Sequence, residues 1–170
     1  MAYSPDTSAM YIPITLNCEL ATFGPTERQL GGGGTGPVRR VNYHHPESDG
    51  NLGEVLALDI PSGEVKWRYR TRAPFNTAAL TTAGGLVFIG DWNRTMSALD
   101  AEDGELLWQV RLATSNQGFP ISYSIDGKQY IAMPVGTGGA SWSGSLPREL
   151  TPELSRPRNG SSINVFALPE

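Results

Sequence analysis

The sequence predicts an all-β fold: a partial β-propeller of about three four-stranded blades. Three observations lead there. The 170-residue chain carries 20 Gly and 13 Pro, and a share of about a fifth favours turns and short strands over long helices. Its apolar residues fall in short runs rich in β-branched and aromatic side chains, bounded by turn formers. Finally, one segment returns. Val55-Leu56-Ala57-Leu58-Asp59-Ile60-Pro61-Ser62-Gly63-Glu64-Val65-Lys66-Trp67 is matched by Met96-Ser97-Ala98-Leu99-Asp100-Ala101-Glu102-Asp103-Gly104-Glu105-Leu106-Leu107-Trp108, with Ala, Leu, Asp, Gly, Glu and Trp recurring at an offset of 41 residues. A period of about 40 residues carrying four strands is the signature of a propeller blade.

Each element follows from local chemistry. Val55 to Leu58 is an apolar strand. Asp59 to Gly63 is a turn, because an Asp side chain bonds backbone N–H groups and Gly accepts positive φ. The next strand carries Trp67, placed to interlock with small Ala57 across the pair and with a neighbouring sheet. Met10 to Ile14 and Leu86 to Gly90 precede the two copies as apolar strands, and Gln129 to Met133 repeats their character. Upstream of each lies a short strand and tight turn: Tyr3-Ser4-Pro5-Asp6, Thr81-Thr82-Ala83-Gly84 and Tyr123-Ser124-Ile125-Asp126-Gly127. Ile163 to Leu168 resembles Val55 to Leu58, and no Trp strand follows it. The expected blades are therefore residues 1–71, 74–112 and 118–168, with the third lacking its outer strand. Three blades do not close a ring, because propellers have about four to eight.

Two insertions interrupt this plan. Residues 15–51 contain Gly31 to Gly34 and Arg39 to His45; residues 136–162 contain Gly136-Thr137-Gly138-Gly139-Ala140-Ser141-Trp142 and a polar, Pro-rich stretch. Loops this long are functional or disordered as a rule.

Composition excludes several classes. Four Trp, six Tyr and five Phe supply a core, which rules out a disordered acidic tail. A net charge of -4 and a pI near 5.2 give no general attraction to phosphate, so no nucleic-acid partner is expected. No apolar run approaches the length of a membrane span. The single cysteine, Cys18, cannot pair within the chain. The opening residues, Met1 to Asp6, have neither a basic region nor an apolar core, so no signal peptide is expected here. His44 and His45, adjacent in an extended segment, point to opposite faces and make a poor metal pair; a solvated loop is the expected setting. Thr82, Ser124 and Ser161 have no nearby base, so no hydrolytic site is expected. Asn93-Arg94-Thr95 and Asn159-Gly160-Ser161 read as turns.

The repeated Ala/Asp/Gly/Trp pattern resembles the tryptophan-docking motif of the quinoprotein alcohol dehydrogenases, which use pyrroloquinoline quinone (PQQ). Thr81 to Phe88 is similar to that family's "TAGGLVF" strand pair, Asp126 to Ala132 to its "DGKQYVA" pair, and Val165 to Pro169 to its C-terminal "VFALP". Order and spacing agree over nearly the whole chain, which corresponds to the last third of an eight-bladed quinoprotein propeller.

The resemblance implies a flat quinone in the funnel at the propeller axis, with calcium beside it and an Asp acting as base toward a primary alcohol. The family's base and metal ligands lie upstream and map onto no residue here, so this chain is expected to supply no catalytic or metal-binding residue and to be inactive alone. Cys18 resembles a family cysteine whose disulfide partner also lies upstream. Cofactor contacts are carried over to Gly138 and Gly139, where bare backbone can approach a planar ring, and to Ala140 where some relatives have Trp. Asn76 stands where the family places another Trp near the quinone, and Trp92 is a further rim candidate. The resemblance also implies a periplasmic enzyme passing electrons to cytochrome c. The expected partners of this chain are the missing N-terminal blades, encoded with it or separately, or further copies of itself. The alternative is a non-enzymatic PQQ-repeat propeller that scaffolds protein assembly; the Gly136 to Gly139 loop, "TTAGGLVF" and "DGKQYIA" argue for the enzyme.

Overall fold

The computed structural model describes residues 1–25, 30–31, 38–136, 146–154, 157 and 160–168. Within them the chain forms strands β1 (Ala2–Ser4), β2 (Ala9–Thr15), β3 (Asn17–Phe23), β4 (Val38–His44), β5 (Gly53–Asp59), β6 (Val65–Thr71), β7 (Leu80–Thr82), β8 (Leu86–Gly90), β9 (Thr95–Asp100), β10 (Leu106–Arg111), β11 (Ile121–Ile125) and β12 (Lys128–Gly136), a short helix α1 (Leu146–Leu150), and strand β13 (Ser161–Ala167). They assemble into antiparallel sheets: β1-β2-β5-β6 (sheet 1), β7-β8-β9-β10 (sheet 2), β11-β12-β13 (sheet 3) and the separate β3-β4 hairpin. Strand β7 neighbours both β1 and β11, so the first strands of the three sheets follow one another along one side of the arc, as in a propeller.

The turns obey the residues that make them. Asp59 Oδ2 accepts the Ser62 N–H at 3.0 Å, and the Gly63 N–H closes the turn onto the Asp59 carbonyl at 2.8 Å with φ of 74°. The second copy does the same: Asp100 Oδ1 accepts the Glu102 N–H at 2.7 Å, and Gly104 has φ of 78°. Asp126 and Gly127, both at positive φ, form the two-residue hairpin joining β11 to β12.

Two apolar layers hold the sheets together. Between sheets 1 and 2 lie Tyr11, Val55, Ala57, Trp67, Phe75, Val87, Ile89 and Leu99; between sheets 2 and 3 lie Phe88, Met96, Ala98, Leu112, Ile131, Met133 and Val135. Strand alternation sends β8 and β9 side chains both ways, which is why middle sheet 2 is buried along both faces. Trp67 pairs across its sheet with Ala57 and lies against the Gly104 turn of sheet 2. Its Nε1–H donates to the Ala101 carbonyl at 3.1 Å, and Tyr11 Oη donates to the same oxygen at 2.8 Å.

Trp108 departs from expectation. By repetition it should be buried between blades as Trp67 is, yet it is 39% exposed, with its ring edge-on to Phe166 at 5.3 Å. Counting forward from Ala167, the counterpart of Ala98, places the counterpart of Gly104 beyond residue 170. Among the described residues, no glycine turn meets this indole as Gly104 meets Trp67.

The insertions correct a second expectation. Residues 17–44 are not simply loop: β3 and β4 pair in register from Asn17 with His44 to Phe23 with Val38. Accordingly His44 is the last residue of a strand, half-buried, with Nε2 3.1 Å from the Leu150 carbonyl, rather than part of a solvated loop. The α1 segment packs on β4 and shields it. Among the described residues, no helix is long and apolar enough to cross a membrane.

Candidate functional site

The strand order puts the candidate residues at one end of the arc. The short turns 5–8, 60–64, 83–85, 101–105 and 126–127 lie at one end. The opposite end gathers the two insertions, the crossings 72–79 and 112–120 between sheets, and the turn 91–94. Asn76, Trp92 and the chain leading to Gly138 all belong to this second end.

Its backbone is tightly tied. Asn76 sits between two anchored neighbours: Phe75 bridges to Asp91, and Thr77 Oγ1 both accepts from the Gly90 N–H and donates to the Gly90 carbonyl, each at 3.1 Å. The Trp92 N–H donates to the Pro74 carbonyl at 2.9 Å. From the other side, Ser115 Oγ donates to the Trp92 carbonyl at 2.7 Å, while Asn116 Nδ2 donates to the carbonyls of Asp91 and Thr95 at 3.1 and 2.9 Å. Gly90 permits this approach, since a Cβ there would stand 2.5 Å from Asn116 Cβ. The Gly136 N–H then donates to the Ser115 carbonyl at 3.2 Å, fixing the end of β12 beside the same cluster.

The crossings thus place Asn76 and Trp92 at the same end of the arc. Asn76 is half-buried at this end, whereas Trp92 is 2% exposed and enclosed by the chain itself. Gly138, Gly139 and Ala140 lie outside the described residues, as do Trp142, Asn159 and Pro169.

Sequence reasoning missed the polar heart of the site. Asp91, Thr114, Ser115 and Asn116 are all buried. Burial pushes the Asp91 carboxyl up to about 6, against the opposing pull of backbone N–H bonds from Thr95 and Asn93 and of Arg111. Asn116 Oδ1 and Thr114 Oγ1 have no hydrogen-bond partner among the described residues. The available signal was the run Thr114-Ser115-Asn116 in the crossing between two apolar strands.

A family model described as PQQ: glucose/ethanol/alcohol dehydrogenase, beta-propeller domain, matches residues 70–131. Quinoprotein ethanol dehydrogenase of Pseudomonas aeruginosa is 33% identical over 99% of this chain and 26% of its own length. The 1-butanol dehydrogenase (cytochrome c) of Thauera butanivorans is 34% identical over 99% of this chain and 24% of its own. Along nearly its whole length the chain is similar to quinoprotein alcohol dehydrogenases. Among solved structures, a europium-containing methanol dehydrogenase superposes with a TM-score of 0.82 at 26% identity, covering 98% of this chain and 32% of that one. As a quinoprotein dehydrogenase relative, the chain spans about a quarter of the length of the enzymes it matches.

What the described residues can offer a cofactor is uneven. Asn76 lies half-buried at the crossing end, between the anchored Phe75 and Thr77. For a metal the fit fails: no group of three or more His, Cys, Asp or Glu side chains able to hold an ion exists among the described residues.

Proposed function

We propose that this chain forms three neighbouring blades of a PQQ-dependent alcohol dehydrogenase that oxidises primary alcohols to aldehydes in the periplasm. The observation carrying this reading is the match along nearly all of this chain to only about a quarter of each relative. PQQ, when bound, supplies the hydride acceptor. The chain's role is to build funnel wall and rim, with blades at 1–71, 74–112 and 118–168. Asn76, Trp92 and the backbone of Gly138, Gly139 and Ala140 form the cofactor rim. Calcium or a lanthanide and the catalytic base come from the remaining blades, and cytochrome c takes the electrons, as the name of the Thauera relative suggests. The remaining blades, or copies of this chain, are its partners.

The test is direct. Supplied with PQQ and calcium, the purified chain should show no dye-linked alcohol oxidation. Joined to the preceding blades of a relative, it should restore turnover. Robust turnover by the chain alone, or a folded chimera that binds PQQ but stays inert with every alcohol and metal tried, would overturn the assignment.

A further inference from the structure

The two insertions are joined by one side chain. Arg72, the residue after β6, donates from Nε to Glu153 Oε1 at 2.6 Å, from Nη2 to the Leu150 carbonyl at 3.1 Å, and from Nη1 to the Gly50 carbonyl. Gly50 belongs to the first insertion; Leu150 and Glu153 belong to the second. Two further links run alongside: Asn42 Nδ2 donates to Glu149 Oε2 at 2.6 Å, and His44 Nε2 meets the Leu150 carbonyl. The first insertion rises from sheet 1 and the second from sheet 3, with sheet 2 between them. Their contact therefore links the ends of sheets 1 and 3 at the crossing end of the arc. Thr151 and Ser48, one in each insertion, are themselves fully enclosed.

We infer that Arg72 is the pin of a strap: it fastens the described parts of the two insertions, 38–50 and 148–154, to each other at the crossing end of the arc, and its loss frees them locally. The guanidinium suits this task because its rigid fork serves several acceptors lying in different directions, which an ammonium on a flexible stem does not. The ion pair is the weaker part. Arg72 and Glu153 are about half exposed, where solvent and salt screen charge. The two carbonyl bonds hold the strap and the carboxylate trims it. Placing a PQQ contact beneath this strap rests on the function proposed above; the strap itself does not.

Hydrogen exchange read by mass spectrometry on the full chain separates the cases. Arg72→Ala should speed exchange of amides in 38–44 and 148–154 by about tenfold or more, with β8 and β9 unchanged, as expected of local opening. Arg72→Lys should behave nearly as Arg72→Ala, and Glu153→Gln should change little. Unaltered exchange in 148–154 in both Arg72 variants, or acceleration spread equally over all three sheets, would overturn the strap. A second arm follows PQQ release by absorbance. Faster release from Arg72→Ala than from the parent places the cofactor under the strap. Failure of the parent to bind PQQ at all would count against cofactor binding by this chain, while the exchange data still decide the strap.

Discussion

The indole of Trp67 rests on Gly104: a Cβ added to that glycine would stand 2.7 Å from two atoms of the ring. The contact ties sheet 1 to sheet 2 at a single turn, together with the bond from Trp67 Nε1 to Ala101. Gly63 is the same position one repeat earlier, with nearly the same φ of 74°, and nothing lies within 4 Å of a Cβ built there. The pair is an internal control. Gly63→Ala should cost only the backbone strain of a left-handed residue, about 1 kcal/mol. Gly104→Ala carries that cost plus overpacking of about 1–3 kcal/mol. Urea midpoints of the two variants measure the difference; equal losses would show that the indole does not press on the turn.

The two tryptophans should likewise separate. Trp67 is buried beside Tyr11, ring centroids 5.5 Å apart, so Trp67→Ala should cost about 3–5 kcal/mol. Trp108 keeps part of its surface in water, so Trp108→Ala in this chain should cost distinctly less. If an added sheet beyond β13 covers Trp108, the two losses should converge. Chemical denaturation of both variants, alone and with the added blade, reads this directly.

This asymmetry shows what sequence can and cannot carry. Ala57, Asp59, Gly63 and Trp67 announce their strands and turn because each satisfies a local rule, and the same letters at 98, 100, 104 and 108 announce the same hairpin. Burial of the Trp is not local. It depends on a turn from the next sheet, which among the described residues Trp67 has and Trp108 does not. The β3-β4 hairpin was obscured for a related reason: its strands alternate weakly and lie on either side of a glycine run, and α1, far along the chain, packs on β4. Asp91 was invisible as a buried acid because a Gly-Asp-Trp-Asn turn reads as surface; the crossings 72–79 and 112–120 packed beside it remove the solvent.

That buried acid gives a pH dependence with a fixed sign. The Asp91 carboxyl sits at about 6 in the fold and 3.8 when free, so the fold favours its protonated form. Below about pH 4 both states hold the proton and the site carries no ionisation cost. As pH rises from 3.8 through about 6 the unfolded chain releases its proton first, and stability falls toward a full loss of about 3 kcal/mol. Asp91→Asn retains an oxygen for the Thr95 N–H, which Asp91 Oδ1 accepts at 2.7 Å. The variant should therefore flatten the profile and be the more stable protein at pH 7. Urea unfolding at pH 4.5 and 7.5 tests this, and parallel profiles for parent and variant would remove Asp91 as the source.

The open face of sheet 3 predicts association. Register places Ile121, Ala132 and Val165 side by side, with Pro134 beside Ile163 and Tyr123 beside Tyr130 and Ala167 on the same face. Ile121, Ile125, Ile163 and Val165 are each at least half exposed, and β13 is an edge strand with a free row of backbone groups. The opposite face of the same sheet supplies Ile131, Met133 and Val135 to the core against sheet 2, so the outer face has the character of a surface that also packs on a sheet. A contiguous apolar face and an unpaired edge are both templates for association. Light scattering across a concentration series should show the chain growing beyond a monomer. Ile163→Lys, which sets a charge on the open face and the edge strand together, should move that growth to higher concentration without lowering the urea midpoint, because Ile163 is 71% exposed and contributes little to the existing core. A sharp monomer mass at high concentration would show that this face does not drive association. Unchanged association in the Ile163→Lys variant would point to the Met10, Ile12 and Leu56 face of sheet 1 instead, where register sets those side chains beside Arg68.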